Sequence, residues 1–179
     1  MPTPAHPLEP FFLHEVTSTF DGRLGLNDPE ISAYISRVLC HFSEDENLFL
    51  KRGRQGYTIE QLVAMMRNSD PVHGTAPSFD AERAMRKYVG DYCLFVAGMV
   101  PEAIETGEDH HTCRPSLGDL IRAGKESYYV VSQFNVFEYR REAPLFERLT
   151  EQFERYVLGL ALVREELGKR MSLGNRDQG

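Results

Sequence analysis

Cysteine is scarce in this chain of 179 residues: Cys40, Cys93 and Cys113 are the whole set, with no Cys-x-x-Cys and no paired spacing. An odd, scattered set excludes a disulfide framework and fits a reducing compartment. Long apolar runs are missing as well. The longest, Tyr92 to Pro101, falls well short of the ~18 residues that a membrane-crossing helix needs. Basic charge is in the minority, 20 Lys and Arg against 27 Asp and Glu, for a net charge of −7 and a pI near 5.4. A duplex nucleic-acid binder needs a Lys/Arg-rich face to displace counterions, so nucleic acid is not an expected partner. The densest basic run, Lys51-Arg52-Gly53-Arg54, reads as solvated loop charge. Met1-Pro2-Thr3-Pro4-Ala5-His6-Pro7 lacks the basic and apolar regions of a signal peptide, and a cytoplasmic location is expected.

Several local motifs are also absent. There is no Gly-x-Gly-x-x-Gly, no P-loop and no Gly-x-Ser-x-Gly, so nucleotide binding through those loops and a nucleophile elbow have no support. No cofactor is expected.

What is present fits a soluble helical domain. The length suggests one domain, large enough to bury about 70% of its unfolded surface without disulfide or metal support. Apolar residues make up 41% and charged residues 26%, an ordinary globular balance that excludes whole-chain disorder. Residues 1–9 carry three prolines and read as an extended arm, 10–171 as the helical bundle, and 172–179 as a polar tail.

Periodicity sets the elements. Phe12, Val16 and Phe20 predict a helix from Pro10 to about Asp21, stopped by Asp21-Gly22. Asp28 is a good N-cap before Pro29, and Ile31, Ile35, Val38, Leu39 and Phe42 line the face of the helix that follows. Thr58 with Gln61 matches a capping box for a short helix, and residues 43–57 read as loop. Ser78 opens a long helix carrying Met85, Tyr88, Val89, Tyr92, Phe95, Val96 and Met99. Its Gly90 and Gly98 imply a close backbone approach, and Pro101 ends it. Ser116 with Asp119 caps another helix, running through Leu120, Ile121, Tyr128, Val131 and Phe134. Its Tyr128–Phe137 stretch has strand-like composition but no alternation. After Pro144, Leu145, Leu149, Phe153, Tyr156, Leu160, Val163 and Leu167 predict one continuous helix of about seven turns. The fold expected is an all-α bundle of about five helices, three of them long.

The chemistry-bearing candidates are few. Glu108-Asp109-His110-His111-Thr112-Cys113 holds metal-ligand side chains. Gly107 and Pro115 place it in a loop, and no second Glu-x-x-His exists to build a di-iron site. No metal is therefore expected. Cys40 and Cys93 fall within apolar stripes and read as core thiols, and His14 and His41 as core-edge histidines. Asp91 interrupts the apolar part of the long helix. A carboxylate buried there needs a partner or a ligand, and Lys125 or tyrosine hydroxyls could serve. Asp91, Lys125, Glu126 and Tyr128 are the candidate ligand-binding residues, lining a pocket between the two central long helices or forming a network that fixes helix register.

Two segments, Tyr92-Cys93-Leu94-Phe95-Val96-Ala97-Gly98-Met99-Val100-Pro101-Glu102 and Gly124-Lys125-Glu126-Ser127-Tyr128-Tyr129, resemble blocks in a set of small uncharacterised bacterial helical proteins. The resemblance covers under a fifth of the chain. It implies a bacterial, cytoplasmic helical protein and no particular activity. The long C-terminal stripe and the glycine-bearing helix point to a non-enzymatic interaction protein, a homo-oligomer or a subunit of an assembly. A small-molecule-binding or enzymatic bundle with a polar pocket is the alternative.

Overall fold

The computed structural model of the chain describes residues 6–44, 56–105, 113–174 and 176. The Lys51–Arg54 run, residues 108–112 of the metal-ligand segment and most of the N-terminal arm lie outside them. Among the described residues the fold is all-helical, with no strand and seven α helices. They are α1 (Glu9–Leu24), α2 (Pro29–Glu44), α3 (Ile59–Asn68), α4 (Phe79–Met99), α5 (Leu117–Ser132), α6 (Ala143–Glu151) and α7 (Phe153–Gly174). Single turns of 3₁₀ helix follow α4 at Pro101–Ala103 and precede α6 at Phe137–Arg141. No described helix is long and apolar enough to cross a membrane.

The caps read from the sequence are present. Asp28 Oδ1 accepts the Ile31 N–H at 3.2 Å. Thr58 with Gln61, and Ser116 with Asp119, form reciprocal capping boxes, and the Ser78 hydroxyl caps α4. Several boundaries differ from expectation. α1 continues through Asp21-Gly22 and stops at Gly25, whose φ of 63° supplies the left-handed conformation that a helix end favours. The C-terminal stretch is two helices, because Gln152 at φ −115°, ψ 24° interrupts it. That break, added to the six helix starts marked in the sequence, makes seven helices where about five were expected. α7 also runs on through Gly174, beyond the expected start of the tail. In the expected arm, α1 starts at Glu9, and His6 Nε2 lies 2.7 Å from Glu44 Oε1.

The buried side chains form one connected apolar cluster, and α4 and α7 run through it. Phe20 of α1 stacks on Tyr156 of α7 with ring centres 6.0 Å apart, while Glu15 accepts from Arg170 at 2.5 Å across 155 residues of sequence. The stripe Leu145, Leu149, Phe153, Tyr156, Leu160 and Val163 is buried inside this one chain. Close helix approach depends on glycine. A Cβ on Gly90 would stand 2.5 Å from the Tyr128 ring, one on Gly98 would collide with Leu160, and one on Gly124 would collide with Phe153. Cys40 and Cys93 are buried, and burial pushes the Cys93 thiol far above its usual range, as befits a core residue. His14 and His41, expected at the core edge, are exposed. On α1 the inward face is Phe12, Glu15, Val16, Thr19 and Phe20, which turns His14 outward.

Candidate functional site

Asp91 sits in the middle of α4 and is 7% exposed. A carboxylate so placed needs donors, and three reach it. The Tyr34 hydroxyl donates to Oδ1 at 2.5 Å from α2, and the Tyr128 hydroxyl donates to the same oxygen at 2.7 Å from α5. The Lys87 ammonium, one turn back on α4, donates to Oδ2 at 2.8 Å. Three helices are thus tied to one side chain. Burial is the first cause that raises both phenols well above the ordinary tyrosine range, and the neighbouring Asp91 charge raises them further. Both hydroxyls therefore keep their protons near neutrality and act as donors.

The carboxylate also lies at the wall of an open cleft. This cavity of about 630 Å³ runs between α2 and α4, with Glu142 and Leu145 also in its lining. Its volume falls within the roughly 300–1,000 Å³ of small-molecule sites. Helical spacing builds both sides: Tyr34, Arg37, Val38 and His41 recur on α2, facing Arg83, Ala84, Lys87, Tyr88 and Asp91 on α4.

Most of the charges here are internally matched. Arg83 is 8% exposed, donates to Glu142 at 2.5 Å, and lies with its guanidinium carbon 4.1 Å from the centre of the Tyr139 ring. Its Nε is buried with no hydrogen-bond acceptor. Glu30 accepts from Arg148, which also binds Asp28 at 2.9 Å. Arg37 is exposed and makes no ion pair among the described residues. Its guanidinium carbon lies 5.9 Å from the centre of the Tyr34 ring, and the Lys87 ammonium lies 5.2 Å from the same centre.

Of the four residues expected at the site, the structure brings two together, Asp91 and Tyr128. Lys125 is directed elsewhere and donates to Glu154 of α7 at 2.8 Å. The reason is local: the bare Gly124 admits Phe153 against α5, and that contact sets Glu154 beside Lys125. Glu126 stands two positions before Tyr128, on another side of α5, and is exposed with Arg86 3.7 Å away. The cleft does not open between α4 and α5, where Gly90 meets the Tyr128 ring. It opens on the α2 side, and Tyr128 reaches Asp91 from behind, fully buried.

Tyr34 and Lys87 are the partners that sequence reasoning missed. Lys87 carried a signal, the i,i+4 spacing to Asp91. Tyr34 falls in the Ile31, Ile35, Val38 stripe at i+3 from Ile31, so it was legible as an inward residue but not as a ligand of a side chain 57 positions away. Among the described residues, no group of three or more His, Cys, Asp or Glu side chains is placed to hold a metal ion. Comparison of the chain with protein-family models, curated proteins and solved structures returns no match.

Proposed function

We propose that the chain is a small-molecule-binding helical bundle whose site is the α2–α4 cleft. One observation carries this reading: buried Asp91 and Tyr34, with half-buried Lys87, form part of the wall of a cavity large enough for a metabolite. A carboxylate buried on an apolar helix adds little stability over well-packed apolar side chains even when it is paired, so packing alone gives weak reason for it. An open polar cleft gives it a use, because bound polar atoms can exchange with donors already aimed and held. The test is a thermal-shift screen of a metabolite library on the full chain and on Ala84→Phe. That variant narrows the cleft from an exposed lining position and removes none of the polar groups. Hits that stabilise the natural chain and fail with Ala84→Phe support the reading. At a ligand concentration about 100 times Kd the gain is about 2.7 kcal/mol. A screen whose hits are indifferent to Ala84→Phe overturns it.

A second reading, association with another protein chain, is favoured by a different observation. Phe137 is 87% exposed and holds a left-handed φ of 51°, beside Val136 at 53% exposure. A strained, exposed aromatic is a common contact device. The C-terminal stripe and the glycines of α4, which first suggested this reading, are occupied by packing within the chain. Light scattering after size exclusion checks it: a concentration-dependent dimer lost in Phe137→Ser supports association, and a strict monomer counts against self-association.

A further inference from the structure

We infer that the α2–α4 cleft selects a small organic monoanion, a carboxylate on an apolar or aromatic body, with Arg37 as its anchor. The assignment rests on the cleft being a binding site and names the class of ligand it takes.

The charge balance of the cleft leads to it. Asp91 pairs with Lys87, Glu142 with Arg83, and Glu30 with Arg148, which it shares with Asp28. Every carboxylate of the lining is thereby engaged, so the cleft offers no free negative group to a cationic ligand. Arg37 remains as the lining cation without a carboxylate among the described residues. An unpaired guanidinium is a planar fork of donors that matches a carboxylate with two parallel bonds. One guanidinium fork seats one carboxylate, so the complement is a monoanion. His41, one turn further along α2, offers a ring nitrogen on the same side of the cleft.

The rest of the lining sets the body of the ligand. Val38, Ala84 and Leu145 supply apolar wall, and the Tyr34 and Tyr88 rings supply aromatic faces. Tyr34 holds the two parts together. Its ring carries the Arg37 and Lys87 cations at 5.9 and 5.2 Å, while its hydroxyl is committed to Asp91. A carboxylate seated on Arg37 therefore meets a guanidinium whose one described partner here is a ring face.

The experiment uses a matched pair of probes, 3-phenylpropionate and its uncharged amide 3-phenylpropanamide. They share shape and differ in charge. Each is titrated into the natural full-length chain and into Arg37→Ala, Arg37→Lys and Ala84→Phe, with binding followed by two-dimensional NMR at several salt concentrations. Arg37 is exposed, so its variants keep the fold. The expected result is that the acid binds about ten-fold tighter than the amide, the preference vanishing in Arg37→Ala and surviving in part in Arg37→Lys. Raising the salt narrows the gap. Equal binding of acid and amide, both blocked by Ala84→Phe, overturns the monoanion assignment and leaves the cleft reading standing. Binding untouched by Ala84→Phe overturns both. If neither probe binds, the assignment to aryl-alkyl carboxylates falls, and the library screen decides the cleft reading separately.

Discussion

Helix α4 presents two faces that solve opposite problems. Toward α5 and α7 it is closed: Gly90 and Gly98 let a tyrosine ring and Leu160 press against bare backbone, and Gly124 of α5 returns the contact with Phe153. Toward α2 it is held open by long charged side chains and lined with arginine, lysine, histidine and tyrosine. The lesson is about distance. Where a missing Cβ draws backbones together, side chains fill the gap and the polar atoms that remain are bonded within the chain, as Tyr128 is to Asp91. Where long side chains stand between helices, a cleft remains and charge can be solvated at its edge. Asp91 lies at the boundary and receives donors from both sides, Tyr128 from the closed face and Tyr34 and Lys87 from the open one.

The sharpest break of this contrast is Asp91→Ala. It strands two buried phenol hydroxyls and should cost about 3 kcal/mol, read as a lower denaturant midpoint at constant m. Asp91→Asn keeps an acceptor and should cost clearly less. An Asp91→Ala loss under ~1 kcal/mol would mean that the three-helix junction is not held by this side chain.

The closed face is tested next. Gly124→Ala should destabilise by about 1–2 kcal/mol, even after the ~1 kcal/mol of helix propensity that alanine brings, because Phe153 occupies the space. Gly22→Ala is the counterpart. That position lies within α1 with nothing within 4 Å of a new Cβ, so the same change there should stabilise by roughly 0.5–1 kcal/mol. If the two substitutions behave alike, glycine is not the device that closes α4 against its neighbours.

Alkaline pH probes the junction from both faces. Tyr34 and Tyr128 are raised well above the ordinary value of 10, and Tyr156 is pushed up to about 12, burial being the first cause in each. A phenol with a higher pKa when folded adds stability that is complete below pH 10, where both states are protonated. Above pH 10 the unfolded chain loses its protons first, and stability declines by at most about 1.4 kcal/mol per pH unit for each tyrosine. Denaturant melts between pH 9 and 11 should show the decline, and Tyr34→Phe and Tyr128→Phe should each flatten it.

The smallest effect belongs to Lys125. Its bond to Glu154 joins side chains 36% and 51% exposed, so Lys125→Ala should cost no more than about 0.5 kcal/mol. It should also leave ligand affinity in the cleft unchanged. A marked change in affinity would return Lys125 to the site.

Much of the frame was legible because local chemistry decides it. The Asp28, Thr58, Ser78 and Ser116 caps satisfy backbone groups within three residues, and the apolar spacing of α2 and α4 follows from 3.6 residues per turn. The break at Gln152 was not legible, since the apolar stripe runs through it without a missed step and no glycine or proline marks it. Asp91 announced itself as a polar residue in an apolar run, and a tyrosine partner followed from hydrogen-bond need. Which cation would meet it did not follow. Lys87 and Lys125 were both plausible by charge, and the choice depended on where Phe153 seats against Gly124, a contact between residues 29 apart. The side of α4 on which the cleft opens is not legible for the same reason: periodicity states that a face is buried and leaves the neighbour unnamed.

The pairing of α1 with α7 has a consequence for how the protein is made. Phe20 lies under Tyr156 and Gly159, and Glu15 meets Arg170. A ribosome adding ~5–20 residues per second needs about ten seconds or so between exposing α1 and completing its partner. Through that interval the Phe12, Val16 and Phe20 face has no native cover from α7. The nascent chain has to shield it with transient contacts or a chaperone until synthesis catches up, so translation speed between α1 and α7 sets how long the chain is open to aggregation.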